Sequence, residues 1–319
     1  MRDSELNNPV LSSDSEARAW LERILWPSGP VCPHCGTLNE ATLIGGEKHS
    51  HRDGLYMCNA CRKQFTVTVG TIFERSHVPL HKWVQAALLI AASKKGVSSH
   101  QLHRLLRVTY KAAWFMSHRL REAMREGRFP SVLGGDGKTA EADETYVGGR
   151  EKNKHAHKRI PKKGKGPTAG KEAVFSLVER DGSVRSFHLP DVKGDTLRGI
   201  VKAHLDGKTV VYTDDNHTTQ YAVKGYAGEA VNHSIGEYVR GPAHTNTIEN
   251  YFSILKRGIV GTYHHVSQQH LKRYLAEFDF RYNQRSALGV SDAERATKML
   301  QGILGKRLTY RRTGTGSNL

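Results

Sequence analysis

Apolar residues recur at helical spacing in the first 130 residues, and each such stretch ends at a residue that stops a helix. Residues 14–26 have this spacing and are followed by Pro27. Further helices are predicted at 81–96, 98–108 and 109–126. The second of these begins with Ser98 and has Gln101 three residues later, the relation of a capping box. Three short helices joined by tight turns indicate a helix-turn-helix-like module.

After Pro130 the pattern changes to short β-branched strands that alternate with helices. Asp181-Gly182 lies between two of these strands and predicts a tight hairpin. Strands are predicted at 142–149, 172–180, 183–189 and 209–215, and helices at 195–205, 246–258 and 267–283. This second half is therefore expected to form an α/β domain.

The charge of the chain points to a polyanionic partner. Its 319 residues carry a formal charge of +17 and have a pI of about 9.8, which favours binding to nucleic acid. A basic protein of the membrane surface is the alternative, but it would need an anchor, and the longest apolar run, 86–92, is far too short to span a bilayer. We expect a cytoplasmic protein that associates with the nucleoid when bound to DNA.

A basic segment follows the strand at 142–149. Residues 150–171 contain nine Lys or Arg residues against one Glu and have no apolar periodicity. We interpret the segment as a mobile loop. Two roles stay open for it: a solvated run of charges, or a clamp on DNA.

All four cysteines of the chain fall into two Cys-x-x-Cys pairs, Cys32 with Cys35 and Cys58 with Cys61. Two residues between thiolates allow one tight turn to direct both sulfur atoms at one tetrahedral ion, so two such turns supply four ligands. Four unrelated buried thiols or a redox pair are the alternatives. Unrelated thiols are disfavoured because every cysteine falls into this pattern. A redox pair is disfavoured because there are two pairs and no thioredoxin-like βαβ pattern surrounds them. The spacing predicts a structural Zn²⁺ site in a zinc ribbon.

Three acidic residues are candidates for a second metal site. Asp143 lies within a predicted strand, Asp214 lies at the end of another, and Glu249 lies in a predicted helix. Acids on two neighbouring strands and on a helix packed across them can converge on one point. Carboxylates so placed can hold two Mg²⁺ or Mn²⁺ ions for phosphodiester chemistry.

The chain resembles the DDE-type insertion-sequence transposases that have an N-terminal zinc ribbon and a ribonuclease-H-like (ISXO-like) catalytic domain. The resemblance runs from about residue 26 to residue 283. The motifs that carry it are WPSGPVCPHCG, ADETYVGG, VYTDD and the long segment from HTNTIENYF to RYNQR. It implies a metal triad of Asp143, Asp214 and an acid in the TIE segment, which is Glu249. Asn246 lies one helical turn earlier and stays open as a third ligand or as a helper of Glu249.

The resemblance also implies a function. The chain is expected to cleave transposon-end DNA and to transfer the 3′-hydroxyl into target DNA. Its partners are terminal inverted repeats, target DNA and further copies of itself on that DNA; no membrane partner is expected. Two alternatives stay open: a non-catalytic zinc-ribbon regulator that binds DNA, and a metal-dependent nuclease that does not join ends. The candidate DNA contacts are Lys256, Arg257, Lys111 and Arg119.

The predicted architecture is multidomain α+β. Residues 1–70 are expected to form an N-terminal helix and the zinc ribbon, and residues 71–132 the helical DNA-binding module. The ribonuclease-H-like catalytic domain with a mixed sheet is expected at 133–285, and residues 286–319 are expected to form a basic C-terminal tail.

Overall fold

The computed structural model describes residues 7–45, 51–125, 132–149, 155–159, 168, 170–232 and 235–309. The chain forms two compact units. We call residues 1–125 and 286–319 the ribbon–helix unit, and residues 126–285 the sheet unit. Most of the basic segment 150–171 and the last ten residues lie outside the described part of the chain.

The ribbon–helix unit contains a small antiparallel sheet in the order β1–β2–β3. Its strands are β1 (Ala41–Leu43), β2 (Tyr56–Cys58) and β3 (Gln64–Phe65). Trp26, Tyr56 and Phe65 pack against one another beside the cysteines, with ring centroids 5.5–5.8 Å apart. This aromatic cluster is the core of the ribbon.

Helices make up the rest of the ribbon–helix unit, and most of them match the predicted positions. They are α1 (Asp14–Leu25), α2 (Leu80–Ala92), α3 (Ser99–Leu106), α4 (Tyr110–Met124) and, near the C-terminus of the chain, α9 (Asp292–Gln301). The predicted capping box is present, because Ser98 and Gln101 exchange both bonds at the start of α3. The turn between α3 and α4 has three residues, and Arg107 takes the left-handed conformation there.

Helix α9 lies in a segment that the sequence analysis assigned to a basic tail. It packs mainly against α2, and its Met299 and Leu300 are fully buried. The chain after α9 bonds to this unit as well, because the N–H of Gly305 donates to the carbonyl of Gly70 at 2.9 Å. Residues 286–309 therefore belong to the ribbon–helix unit. The signal for α9 was present in the sequence: Ser291 and Glu294 form a capping box ahead of an apolar face.

The sheet unit is built on a four-stranded mixed sheet in the order β6–β5–β4–β7. Its strands are β4 (Thr139–Val147), β5 (Glu172–Glu179), β6 (Val184–Leu189) and β7 (Val210–Tyr212). The pairs β4–β5 and β5–β6 are antiparallel, and β4–β7 is parallel. The predicted hairpin joins β5 to β6, with Asp181 at a φ of 57°.

Helices cover both faces of this sheet. They are α5 (Gly194–His204), α6 (His217–Ala222), α7 (Asn246–Gly258) and α8 (Gln268–Asn283), and a two-residue hairpin of β8 (Val239–Arg240) and β9 (Ala243–His244) precedes α7. Ala140 and Ala142 of β4 pack with α5 and α6, whereas Val147 of β4 packs with α7 and α8. A mixed sheet between two helical layers agrees with the predicted ribonuclease-H-like α/β domain.

Two details of the sheet unit differ from the sequence analysis. Strand β7 covers only Val210–Tyr212 of the predicted strand 209–215, so Asp214 lies two residues beyond the end of the strand. The short helix α6 was not predicted, because its six residues are too few for a helical pattern to be recognised. Among the described residues, no helix combines the length and the apolar character needed to cross a bilayer.

Candidate metal centres

The four cysteine sulfur atoms lie together in the ribbon, all within 4.8 Å of one another. The Sγ atoms of Cys32 and Cys61 are 3.7 Å apart, and those of Cys35 and Cys58 are 3.6 Å apart. Tetrahedral Zn²⁺ with Zn–S bonds of about 2.3 Å places its sulfur ligands roughly 3.8 Å from each other. The cluster therefore has the dimensions of a four-thiolate zinc site, as the sequence predicted.

Each Cys-x-x-Cys pair is shaped by the same backbone turn. The N–H of Gly36 donates to the carbonyl of Cys32 at 2.8 Å, and the N–H of Arg62 donates to that of Cys58 at 2.9 Å. Both donors have positive φ, 79° for Gly36 and 58° for Arg62. The left-handed residue closes each turn and directs its two thiols to the same side, which is how two separate loops supply one metal site.

The thiols differ in acidity. The Thr37 hydroxyl, 3.1 Å from the sulfur of Cys35, lowers the pKa of Cys35 to about 6. A bond from the Lys63 backbone lowers the pKa of Cys61, but burial and the neighbouring thiols outweigh it and raise that pKa to about 11. Because four thiols so close together cannot all ionise without a counter-charge, the cluster suits a cation that takes them as thiolates.

The sheet unit carries the first two acids of the predicted triad near the end of its parallel strand pair. Glu141 of β4 is paired with Tyr212 of β7 in parallel register. Asp143 follows Glu141 by two residues on β4, and Asp214 follows Tyr212 by two residues, just beyond the end of β7. The N–H of Asn216 donates to Asp214 Oδ1 at 3.2 Å, which fixes this carboxylate just beyond β7.

The third acid comes from the helix that crosses this face of the sheet. Asp143, like Val147 four residues later, points to the face covered by α7 and α8, because side chains alternate along a strand. Glu249 lies in the first turn of α7, and the Thr245 hydroxyl donates to its Oε1 at 3.3 Å. The three acids therefore come from a strand, a strand end and a helix, as the sequence analysis expected.

Asp143 and Glu249 line the same cleft, and the pKa of Asp143 responds to its acidic neighbours. Burial raises the pKa of Asp143 well above its ordinary value, and the charges of Asp214, Glu144 and Glu249 raise it further. The N–H of Glu144, 2.7 Å from Asp143 Oδ1, opposes the shift. The three acids are spaced more widely than the thiols, since the cysteines are the only group of described His, Cys, Asp and Glu residues with ligand atoms all within 4.8 Å.

An open cleft of about 410 Å³ lies beside Asp143. Helix α7 lines it with Glu249, Phe252, Ser253, Lys256 and Arg257. Lys256 and Arg257 are both exposed, so the cleft has acids at one side and cations at the other. Asn246, the first residue of α7, is exposed and is not among the lining residues.

Glu144 has a role that sequence reasoning did not identify. It lies next to Asp143 but belongs to the opposite face of β4, where it accepts bonds from the side chains of Asn216 and Thr219. Asn216 is the N-cap of α6 and follows Asp214 by two residues. Glu144 therefore fixes the loop that carries Asp214. The sequence offered a weak signal: strand alternation placed this acid away from the triad.

Of the candidate DNA contacts in the helical module, one is on the surface and one is not. Lys111 is exposed in the first turn of α4. Arg119 is buried, and its guanidinium donates to the backbone carbonyls of Ile72, Glu74 and Leu308. This placement does not fit the prediction that Arg119 contacts DNA, because the guanidinium lies inside the unit and its Nε and Nη1 donate to backbone carbonyls.

Comparison with known proteins agrees with this arrangement. A family model described as a transposase zinc-ribbon domain matches residues 12–64, and one described as an ISXO2-like transposase domain matches residues 133–283. A protein of Halobacterium salinarum, described as an uncharacterized protein in transposable element ISH50, is 30% identical over 286 residues. That match covers 86% of this chain and 92% of the relative. With a zinc ribbon in one unit and an acidic cleft in the other, the chain belongs to the ISXO2-like transposases.

Proposed function

We propose that the protein cleaves the ends of its transposon and joins each freed 3′-hydroxyl to target DNA, with Asp143, Asp214 and Glu249 as the ligands of two Mg²⁺ or Mn²⁺ ions. The observation that supports this most is that Asp143 and Glu249 line one cleft, with Asp214 two residues beyond the end of the strand that pairs with β4. Three separate elements bring them close enough for Asp214 and Glu249 to raise the pKa of Asp143. Such repulsion destabilises a fold unless a cation offsets it.

The donor set suits hard divalent cations, which prefer carboxylate oxygens and keep positions open for water and phosphate. When bound, a pair of such ions activates the attacking oxygen and stabilises the leaving one. The side chains of Asp143, Asp214 and Glu249 would supply the carboxylate ligands. Asn246, one turn before Glu249 on α7, would act as a helper at the exposed end of the helix.

The cations of α7 would hold the DNA. Lys256 and Arg257 both lie about two helical turns beyond Glu249 on the same cleft, where they can bind the phosphates that flank the scissile bond. In this proposal the ribbon (1–70) and the helical module (71–132), with Lys111 on its surface, bind the terminal repeat, and the domain at 133–285 performs the chemistry. At least two copies would assemble on two ends, in the cytoplasm.

A strand-transfer assay tests the proposal. The full chain is incubated with Mg²⁺, a labelled duplex from the flank of its own gene and a plasmid target, and the junctions are sequenced. Asp143→Asn and Asp214→Asn should each abolish cleavage and joining. Asp181→Asn is the matched control, because this exposed acid of the same unit sits at a hairpin with positive φ that Asn tolerates.

Each outcome distinguishes one reading. Wild-type activity in Asp143→Asn or Asp214→Asn would overturn the proposal. Specific binding to the flank without any cleavage by the wild type would identify a DNA-binding regulator. Cleavage without joined products would identify a nuclease.

A further inference from the structure

Glu141 is a fully buried carboxylate on the strand that carries Asp143. It lies two residues before Asp143, so its side chain is on the same face of β4. Helix α7 covers this face. Its Oε2 accepts a hydrogen bond of 2.9 Å from the N–H of Ile248, the residue before Glu249. Burial of a carboxylate is costly unless it is paired and hydrogen-bonded. The groups that bind Glu141 therefore indicate what this buried charge does in the fold.

The start of α7 has no cap of its own. Its N-cap residue, Thr245, makes no side-chain bond to the first N–H groups of the helix and donates instead to Glu249 Oε1. Ile248 is the third residue of α7. At this position the backbone N–H normally donates a hydrogen bond to the side chain of the N-cap residue. Glu141, on β4, accepts this bond in place of an N-cap side chain. Its negative charge also interacts favourably with the positive end of the helix dipole.

Arg180, directly after β5, completes the arrangement. Its Nε donates to Glu141 Oε1 at 2.7 Å. Its two terminal nitrogens donate to the carbonyls of Pro242 and His244, both at 2.9 Å. These two residues lie in the segment that leads into α7. The ion pair of Glu141 and Arg180 therefore connects β4 and the end of β5 to the first turn of α7 and to the segment that precedes it.

We infer that Glu141 is a positioning residue for the metal site: with Arg180 it fixes the height and rotation of α7 over β4, so that Glu249 meets Asp143 and Asp214. This inference rests on the proposed function, because it takes Glu249 as a metal ligand. The bond to Ile248 constrains the residue adjacent to that ligand, and a one-residue slip of the helix would turn Glu249 away by about 100°.

The test uses the full chain with Glu141→Gln. The amide can still accept from Ile248, but its NH₂ group then competes with the Arg180 donors for the remaining position. Two readouts are independent of catalysis: the affinity for Mn²⁺ alone by calorimetry, and amide hydrogen exchange of peptides covering 243–252 in the metal-free protein. We expect the Mn²⁺ dissociation constant to rise roughly 10-fold or more, as for residues that orient metal ligands, and exchange to accelerate at the start of α7.

The matched control is Glu277→Gln. Glu277 is also fully buried and paired with an arginine, Arg281, and it accepts from the Tyr263 hydroxyl at 2.5 Å. It lies on α8, and its bonds to Tyr263 and Arg281 are made away from the start of α7, so its loss should lower stability without changing Mn²⁺ affinity. Arg180→Lys is the milder second variant. It keeps the charge beside Glu141 but cannot reach both carbonyls, and we expect a smaller shift in the same direction.

The results separate the inference from the proposed function. Mn²⁺ affinity and exchange in Glu141→Gln that match those of Glu277→Gln would overturn the inference while the triad stands. A wild-type protein that neither binds Mn²⁺ nor cleaves DNA would refute the proposed function. In that case unchanged exchange at the start of α7 in Glu141→Gln would also overturn the role of Glu141 as its anchor.

Discussion

Asp143 and Asp214 each lie two residues beyond Glu141 and Tyr212, the last pair that joins the parallel strands β4 and β7. The charge of Asp214 acts on Asp143, and burial of Asp143 strengthens this repulsion. Glu249 adds a third charge from α7. Repulsion among these carboxylates therefore lowers the stability of the metal-free protein, and melting experiments can measure that loss.

Asp143→Asn should stabilise the metal-free protein at neutral and alkaline pH. The pKa of Asp143 is raised in the folded state above its ordinary value of 3.8, so folding favours the protonated acid. The ionised carboxylate therefore lowers the free energy of unfolding. This loss of stability is absent below the pKa that Asp143 has in the unfolded chain, and it grows as the pH rises through the pKa that Asp143 has in the folded protein. We expect the variant to melt at a higher temperature than the wild type near about pH 8, and at the same temperature near about pH 3.5.

Mg²⁺ provides the internal control for this prediction. Added Mg²⁺ should raise the melting temperature of the wild type and narrow its difference from Asp143→Asn. Asp181→Asn should melt like the wild type under every condition, since its carboxylate is exposed at the hairpin. A lower melting temperature for metal-free Asp143→Asn at about pH 8 would contradict the raised pKa.

Glu249→Gln should lose Mn²⁺ binding and cleavage, whereas Asn246→Ala should weaken them far less. Glu249 shares a cleft with Asp143, while Asn246 is exposed at the first position of α7 and does not line that cleft. Residues that only orient metal ligands typically change metal affinity by roughly 10–100-fold when they are mutated. We expect Glu249→Gln to weaken Mn²⁺ binding by more than this and Asn246→Ala to weaken it by no more than this. Calorimetry with Mn²⁺ measures both. The reverse order would make Asn246 the third ligand.

Much of the sheet unit could be predicted from sequence because its signals are local. The Asp181-Gly182 turn set the hairpin, and alternating apolar residues set which face of β4 each side chain occupies. The spacing of the cysteines likewise set the ribbon. The role of Glu141 could not be predicted, because it depends on Ile248, 107 residues away along the chain.

Lys256→Ala and Arg119→Ala should have opposite consequences. Lys256 is exposed on the acidic cleft, so its loss should weaken DNA binding and reduce the slope of log K against log salt by about 1. Arg119 is buried against three backbone carbonyls. Its loss should cost at least about 2 kcal/mol of stability and leave the salt slope of the folded protein unchanged. Binding isotherms over a salt series, with parallel melting curves, compare the two.

Arg119 also shows where charge patterning misleads. Basic residues on a predicted recognition helix are usually taken as phosphate contacts. Here residues 116–121 of α4 are all buried, and the helix is central to its unit. A single sequence gave no means of telling which face of α4 the other helices cover, since the packing of α9 comes from nearly 180 residues further along the chain.

Leu300→Ala should destabilise the ribbon–helix unit by about 2–5 kcal/mol. Leu300 is fully buried on α9, which packs against α2, so the truncation leaves a cavity in the core. All four tryptophans, Trp20, Trp26, Trp83 and Trp114, belong to this unit, and their fluorescence in a urea titration therefore reports on it alone. Lys298→Ala, at an exposed position of the same helix, should shift stability by no more than about 0.5 kcal/mol. If residues 286–319 were a tail outside the fold, both variants would unfold at the wild-type midpoint.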